Sequence, residues 1–410
     1  MRLLHTSDLH LGKQLLGRSL EAAHDRFFDW LIAAVDAHAV DVVLIAGDIY
    51  EVAMPPSYAR RQLYRFVDAA AQRGVTTVVV AGNHDSPATI GEAGCLLARA
   101  NTLLVHEVAS NPDDQVHVLP RRDGKPGAIL CGVPFVRPRD VMTSVAGQTL
   151  EQRQHAFATG IADHYAHVYA AARTRRDAVD PRLPIVATGH LATVGTSRSE
   201  AMHEIYVGLL NAFPTDALPP ADYVALGHIH RPMTMGERGQ IRYCGAPIAV
   251  AFDELGHDKH VLLVDFENGT LARVEALPVP MFQPMRRVRG ALDDMPGLLA
   301  ALAAPHVPEL PVWVEATIDI GGYVPDLMAR LRAMAQGLAV DILRVHRIGG
   351  DAGDAGIQAP LRTLHEMRPR EVFEQLLDGC SDLDDQRRDI ICALFDRVAN
   401  EVSAPTGDPS

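Results

Sequence analysis

Residues 41–48 read Asp-Val-Val-Leu-Ile-Ala-Gly-Asp, and residues 75–85 read Val-Thr-Thr-Val-Val-Val-Ala-Gly-Asn-His-Asp. Each is a short apolar run rich in β-branched side chains that stops at glycine and then delivers polar residues. Such runs predict strands buried on both faces, in sheets covered by helices. Glycine lets the chain turn sharply as it leaves the sheet. Asp48 in one run, and Asn83, His84 and Asp85 in the other, are thereby set in the cleft beyond the strand ends. Helical composition at 20–37 and at 57–72, after Pro55-Pro56, supplies the covering layer.

The same device recurs outward along the chain. A strand at 3–6 runs through Ser7 into Asp8-Leu9-His10. Two further runs end at Thr188-Gly189-His190 and at Leu226-Gly227-His228-Ile229-His230. Between them, Asp123-Gly124 signals a hairpin joining 116–119 to 128–135, and 151–173 has helical composition. A second hairpin is expected from 241–250 and 261–274. The first 280 residues thus read as one α/β unit. A boundary near 277–280 precedes a smaller α/β unit at 281–348. Its strands are expected near 285–289, 312–320 and 339–346, and its helices near 292–302 and 325–335. Residues 349–361 are glycine-rich and read as a flexible linker. Residues 362–402 read as a helical hairpin with apolar stripes at Val372, Phe373, Leu376 and Leu377 and at Ile390, Ile391, Leu394, Phe395, Val398 and Val402. Residues 403–410 read as a disordered tail.

Bulk properties bound the function. A chain of 410 residues exceeds one ordinary core. The formal net charge of −13 argues against a protein that coats nucleic acid by charge alone. Basic clusters survive within that balance, among them Arg60, Arg61 and Arg65, and Arg286, Arg287 and Arg289. Five cysteines, with no Cys-x-x-Cys pair, fit a reduced intracellular protein rather than a disulfide scaffold or thiolate zinc site. The N-terminal apolar run is too short for a signal peptide, and no stretch is long enough to span a bilayer. A cytoplasmic enzyme with no membrane association is the expectation.

The strand-end residues then define a chemistry. Asp8, Asp48 and Asn83 offer oxygen ligands; His10, His190, His228 and His230 offer imidazoles. Seven ligands exceed what one first-row ion with open positions can use. They fit two divalent ions sharing a carboxylate, held ~4 Å apart to polarise phosphoryl oxygens and generate hydroxide near neutral pH. Mixed oxygen and nitrogen ligands without thiolate favour manganese, iron or zinc over calcium. His84, beside Asn83, is a candidate to protonate the leaving oxygen. Asp85 is a candidate to fix its tautomer. Singly, each motif has a bland explanation as a turn or a polar surface pair; their order and strand-end placement make the joint case. His5, His24, His106 and His257 fall outside the pattern and are expected to be structural or solvated.

On these motifs the chain resembles the calcineurin-like metallophosphoesterases and, more narrowly, the SbcD group of nuclease subunits. The likeness extends to Arg2-Leu-Leu-His-Thr-Ser-Asp-Leu-His-Leu-Gly12, Pro55-Pro-Ser-Tyr-Ala-Arg60, Leu119-Pro-Arg-Arg-Asp-Gly124, Pro134-Phe-Val-Arg-Pro-Arg-Asp140, Ala187-Thr-Gly-His190 and Pro220-Ala-Asp-Tyr-Val-Ala-Leu-Gly-His-Ile-His-Arg231. The resemblance implies a four-layer sandwich of two mixed β-sheets flanked by helices, with 281–348 as a capping domain that contacts DNA. It implies one metal held by Asp8, His10, Asp48 and His230 and another by Asp48, Asn83, His190 and His228, with His84 catalytic. Manganese is the implied ion, with magnesium, iron or zinc as alternatives. It implies cleavage of double-stranded ends and DNA hairpins in recombination, replication and repair. The implied partner is an SbcC-like ATPase, whose coiled-coil base takes the C-terminal helices. A homodimer within a heterotetramer is implied, for which 57–72 is the candidate contact. Glu51 departs from the pattern: SbcD-like proteins often carry Asp there, and more distant relatives His. Two other readings compete. A phosphodiesterase or phosphatase of small molecules or proteins would need no cap, linker and helical hairpin. A non-catalytic scaffold would show a lost ligand or a replaced His84.

Overall fold

The computed structural model describes residues 1–143, 147–193, 212–303, 310–320, 324–348 and 395. Two six-stranded sheets dominate. The first has the order Thr270–Pro278, His260–Glu267, Arg2–Thr6, Val42–Ala46, Thr76–Val80, Thr102–Val105; the last four are mutually parallel, and the first two run antiparallel as a hairpin. The second has the order Met233–Met235, Ile241–Tyr243, Tyr223–Gly227, Ile185–His190, Pro126–Cys131, Val116–Pro120, parallel in its middle and antiparallel at both edges.

The alternation of side chains along each strand assigns the layers. Val42, Leu44 and Ala46 face an apolar interior shared with Leu130, Val186, Tyr223 and Ala225 of the second sheet, so the sheets pack face to face. Val43 and Ile45 point the other way, into a cluster with the helices Glu21–Ala37 and Ser57–Ala71. Phe28 of one helix stacks on Phe66 of the other, ring centroids 4.9 Å apart. The 30-residue helix Leu150–Val179 covers the outer face of the second sheet through Phe157, Ile161, Tyr165, Val168 and Ala172. That spacing of four and three residues is an apolar stripe of helical period. The result is the four-layer sandwich of two mixed sheets between helices.

One sequence expectation is corrected. Residues 241–250 and 261–274 do not form a hairpin. Ile241–Tyr243 belongs to the second sheet, whereas His260–Glu267 belongs to the first and pairs with Thr270–Pro278. Asn268 and Gly269, with φ of 50° and 82°, form the turn between them. Two consecutive positive φ values suit the tight hairpin whose twist matches its strands.

Residues 285–348 form a three-stranded parallel sheet, Met285–Ala291, Val312–Asp319 and Val340–Ile348. The helices Met295–Ala303 and Leu327–Met334 pack on one face. Met285 and Trp313 lie in the apolar cluster of the helix Glu21–Ala37, and Arg18 Nε meets Asp341 at 2.7 Å. The segments read as linker, helical hairpin and tail, 349–410, lie outside the described residues apart from Phe395. Among the described residues no helix is long and apolar enough to cross a membrane.

Candidate metal centre

The strand register brings the first two motifs together. Thr6 lies opposite Ile45, so the emerging chains continue side by side: Asp8 N donates to Gly47 O at 2.9 Å, His10 N to Asp48 O at 3.0 Å and Leu11 N to Ile49 O at 2.9 Å. Within this lacing Asp8, His10 and Asp48 have φ of 53°, 47° and 50°, and His228 has 93°. Left-handed backbone costs a non-glycine residue about 1–2 kcal/mol, and such strain concentrates at functional sites where surrounding bonds over-determine it. Gly47, with φ of 94°, has no such cost, and a Cβ there would run into the His190 ring. A Cβ on Gly227 would strike the carbonyl oxygen of Ala46. Glycine at these two places is what allows the sheets to converge.

All seven expected ligands and His84 are brought together. Asp8, His10 and His230 form one cluster, Asp48, His190 and His228 a second, and His10, Asp48 and His84 a third. In each, the potential ligand atoms lie within 4.8 Å of one another. The carboxylate of Asp48 divides its oxygens. Oδ1 accepts from His84 N at 3.0 Å. Oδ2 lies 3.2 Å from His190 Nε2 and 3.7 Å from His10 Nε2, the arrangement a bridging ligand requires. Asn83 Oδ1 lies 3.0 Å from the same His190 nitrogen, and Asp8 Oδ1 accepts from His228 N at 2.9 Å.

The imidazoles are oriented from behind. His190 Nδ1 sits 3.0 Å from Ala46 O, His230 Nδ1 2.7 Å from Glu254 Oε1, His10 Nδ1 2.9 Å from Glu51 Oε2 and His84 Nδ1 2.7 Å from Glu51 O. Carbonyl and carboxylate oxygens only accept, so Nδ1 of His190, His230 and His84 donates and their Nε2 is directed to the cleft, whereas His10 Nδ1 meets Glu51 as an ion-pair contact. His10 Nε2 and His230 Nε2 then face each other at 3.1 Å. Two lone pairs at that distance repel unless a proton or a metal cation takes them up. The donor set therefore fits divalent metal.

The electrostatics agree. Burial opposes charge on His190, yet the Asp48 carboxylate, by charge and hydrogen bond, pushes its pKa up to about 9. The same burial would raise Asp48, but His190, His10 and His84 hold it well below the usual carboxylate range. Positive charge is thus favoured at His190 beside Asp48 and at His230 beside Glu254, while burial pushes His10 and His228 down towards the neutral form. Burial is also overcome at Glu51, held at about 2 by His10 and Lys13, and at Glu254, held at about 2 by His230 and Lys259. Both carboxylates stay ionised behind their histidines.

Asp85 is placed differently from the sequence expectation. Its buried carboxylate accepts from the backbone amides of Gly82, Ile49 and Tyr50 at 2.8, 3.1 and 3.0 Å. It ties the loop after Val42–Ala46 to the loop after Thr76–Val80, and the Glu51 carbonyl oxygen takes the His84 ring. Free amides at two strand ends out-compete a neighbouring imidazole for a carboxylate that the chain buries among them. Sequence reasoning also gave no role to Glu254 and Lys259, joined at 2.7 Å. An acidic residue in a short turn at 252–254 has no periodic or motif signal. His5 and His24 are buried structural groups, at 2.9 Å from Tyr223 Oη and 2.8 Å from Leu9 O.

Comparison with known proteins agrees with the geometry. A profile of calcineurin-like phosphoesterases matches residues 1–232. One described as the type 5 capsule protein repressor C-terminal domain, SbcD_C, matches residues 281–379. The chain is 43% identical to the SbcD component of the nuclease SbcCD of Escherichia coli K12 over 396 residues, 96% of this chain and 97% of the relative. Identity to the corresponding SbcCD component of Rhodobacter capsulatus is 33%, over 76% and 77% of the two chains. For that of Bacillus subtilis it is 30%, over 71% and 73%. The chain is a metal-dependent phosphoesterase of the calcineurin-like family and belongs, within it, to the SbcD nuclease subunits.

Proposed function

We propose that the chain hydrolyses DNA phosphodiesters with two divalent ions, manganese first among them, at double-strand ends and in hairpins. The observation that carries this is the pair of facing nitrogens, His10 Nε2 and His230 Nε2, beside the shared Asp48 oxygen. Asp8, His10, Asp48 and His230 hold one ion; Asp48, Asn83, His190 and His228 hold the other. When bound, the ions polarise the phosphoryl oxygens and lower the pKa of an attacking water. The chain's own residues do the rest. Asp48 would be the shared ligand, its Oδ2 near both His190 Nε2 and His10 Nε2, while Oδ1 fixes the His84 backbone. His84 donates Nδ1–H to the Glu51 carbonyl oxygen, so protonation at Nε2 makes it the acid for the leaving 3′ or 5′ oxygen. Residues 281–348 are the second surface for the duplex in this reading; on their sheet Arg287 and Arg344 pair with Glu315, and Arg289 with Asp319.

The partner reading is an SbcC-like ATPase that takes the helices of 362–402, in a heterotetramer with two copies of this chain. The support is the relatives' name as components of the nuclease SbcCD together with the apolar stripes in that segment. The deciding experiment adds Mn²⁺ to the full chain and compares hairpin DNA, linear duplex and a small phosphodiester, with and without the ATPase and ATP. DNA cleavage enhanced by ATPase and ATP is expected. Turnover confined to the small phosphodiester would refute the DNA assignment.

A further inference from the structure

The two metal positions are backed in different ways. Behind the position at Asp8, His10 and His230, each imidazole rests on a carboxylate and each carboxylate on a lysine. His10 Nδ1 meets Glu51 Oε2 at 2.9 Å, and Glu51 Oε1 meets Lys13 Nζ at 2.7 Å. His230 Nδ1 meets Glu254 Oε1 at 2.7 Å, and Glu254 Oε2 meets Lys259 Nζ at 2.7 Å. Glu254 is 3% exposed, so this pair is enclosed rather than a solvated contact. At the other position the ligands include the neutral amide of Asn83, and His190 rests on the neutral backbone oxygen of Ala46. A carboxylate behind an imidazole pulls on Nδ1–H, raises the basicity of Nε2 and fixes the ring; a carbonyl does so less. The lysines lie on the far side of the carboxylates and hold them in place without touching the ligand nitrogens.

We propose that the two metal positions are unequal: Glu51 and Glu254, as positioning residues, make the position at Asp8, His10 and His230 the tight one, and the position at Asn83 and His190 the exchangeable one. This rests on the two-metal reading above. It follows that the chain holds one ion through changes in free metal and reaches full competence only when the second arrives.

The test is calorimetric titration of the metal-stripped full chain with Mn²⁺, with the bound ion followed by its electron paramagnetic resonance signal. Two steps differing by tenfold or more in Kd are expected. Asn83→Ala should weaken only the weaker step. Glu254→Ala should weaken only the tighter step by about 10–100-fold. Glu254→Gln keeps the volume and an acceptor oxygen but removes the charge, so it should move the same step by less. Glu51→Gln should act on that step too, leaving the backbone oxygen under His84 in place. Two steps of equal affinity in the unaltered chain would overturn the proposal. So would Glu254→Gln and Asn83→Ala weakening the same step. A stoichiometry of one ion would instead overturn the two-metal reading itself.

Discussion

Replacing His84 by Gln separates the chemistry from the metal cluster. His84 reaches its surroundings through two bonds of different kinds. Its backbone N–H donates to Asp48 Oδ1 at 3.0 Å, and that bond survives any side-chain change. Its ring Nδ1 lies 2.7 Å from Glu51 O, and loss of such a bond costs about 1 kcal/mol of stability. The glutamine amide can replace that donor but cannot deliver a proton to a leaving oxygen. General acid catalysis contributes typically 10²–10⁴-fold, about 2.7–5.4 kcal/mol of barrier. The expected outcome is therefore a fall in kcat of that order, with the Mn²⁺ content unchanged by elemental analysis and the denaturation midpoint near that of the parent. Hairpin and duplex DNA should suffer alike, since either leaving oxygen needs a proton. Loss of an ion on this substitution would refute the reasoning, because it would make the side chain a ligand rather than an acid. Unchanged kcat would refute it from the other side.

Asp85→Ala should behave in the opposite way: three backbone amides lose their acceptor, each orphan costing about 1–3 kcal/mol. Chemical denaturation should show a loss of several kcal/mol, with metal content falling as the two loops part. Equal stability would remove the knot assigned to this carboxylate. Gly47→Ala should strain a φ of 94° and press on the His190 ring, so reduced Mn²⁺ stoichiometry is expected and an unchanged titration would contradict it. Burial pushes His5 down to about 3 from 6.5. The folded state thus refuses a proton that the unfolded chain accepts, so stability is intact above pH 6.5 and falls as the pH drops towards 3. At pH 5 the loss is about 2 kcal/mol, 1.36 kcal/mol for each pH unit below 6.5. His5→Gln should flatten that part of the stability curve, and an identical slope would argue against it. Deleting the residues after Gly356 should abolish co-purification with an SbcC-like ATPase; retention would refute the assigned docking segment.

Much of the site was legible because its residues follow a repeated local event, an apolar run ended by a turn. Asp8, Asp48, Asn83, His190, His228 and His230 all sit at such ends, and the structure brings these candidate ligands and His10 together. What escaped is what depends on partners rather than on pattern. Asp85 was assigned to its sequence neighbour His84, but hydrogen-bond competition is settled by which amides are buried nearby, and those belong to Ile49 and Tyr50. Glu254 lies far from any motif and is brought behind His230 only by the packing of 250–254 beneath it. The same holds for the fold. The apolar runs revealed strands, but not that 241–243 and 260–267 enter different sheets, since adjacency of strands is a property of the whole chain.

The order of strands in the first sheet has a consequence for biosynthesis. The opening strand Arg2–Thr6 lies between Val42–Ala46 and His260–Glu267, and the entire second sheet is made from residues that come between those neighbours. A ribosome that has released only the first hundred residues has exposed Asp8, Asp48 and Asn83 but none of His190, His228 and His230. Even with every candidate ligand synthesised, the first strand still lacks its antiparallel partner, and Glu254 has yet to be made. The nuclease centre is thus among the last parts of this unit to close. A chain stopped before residue 260 carries the loops of the candidate ligands without the strand that completes the first sheet beside them.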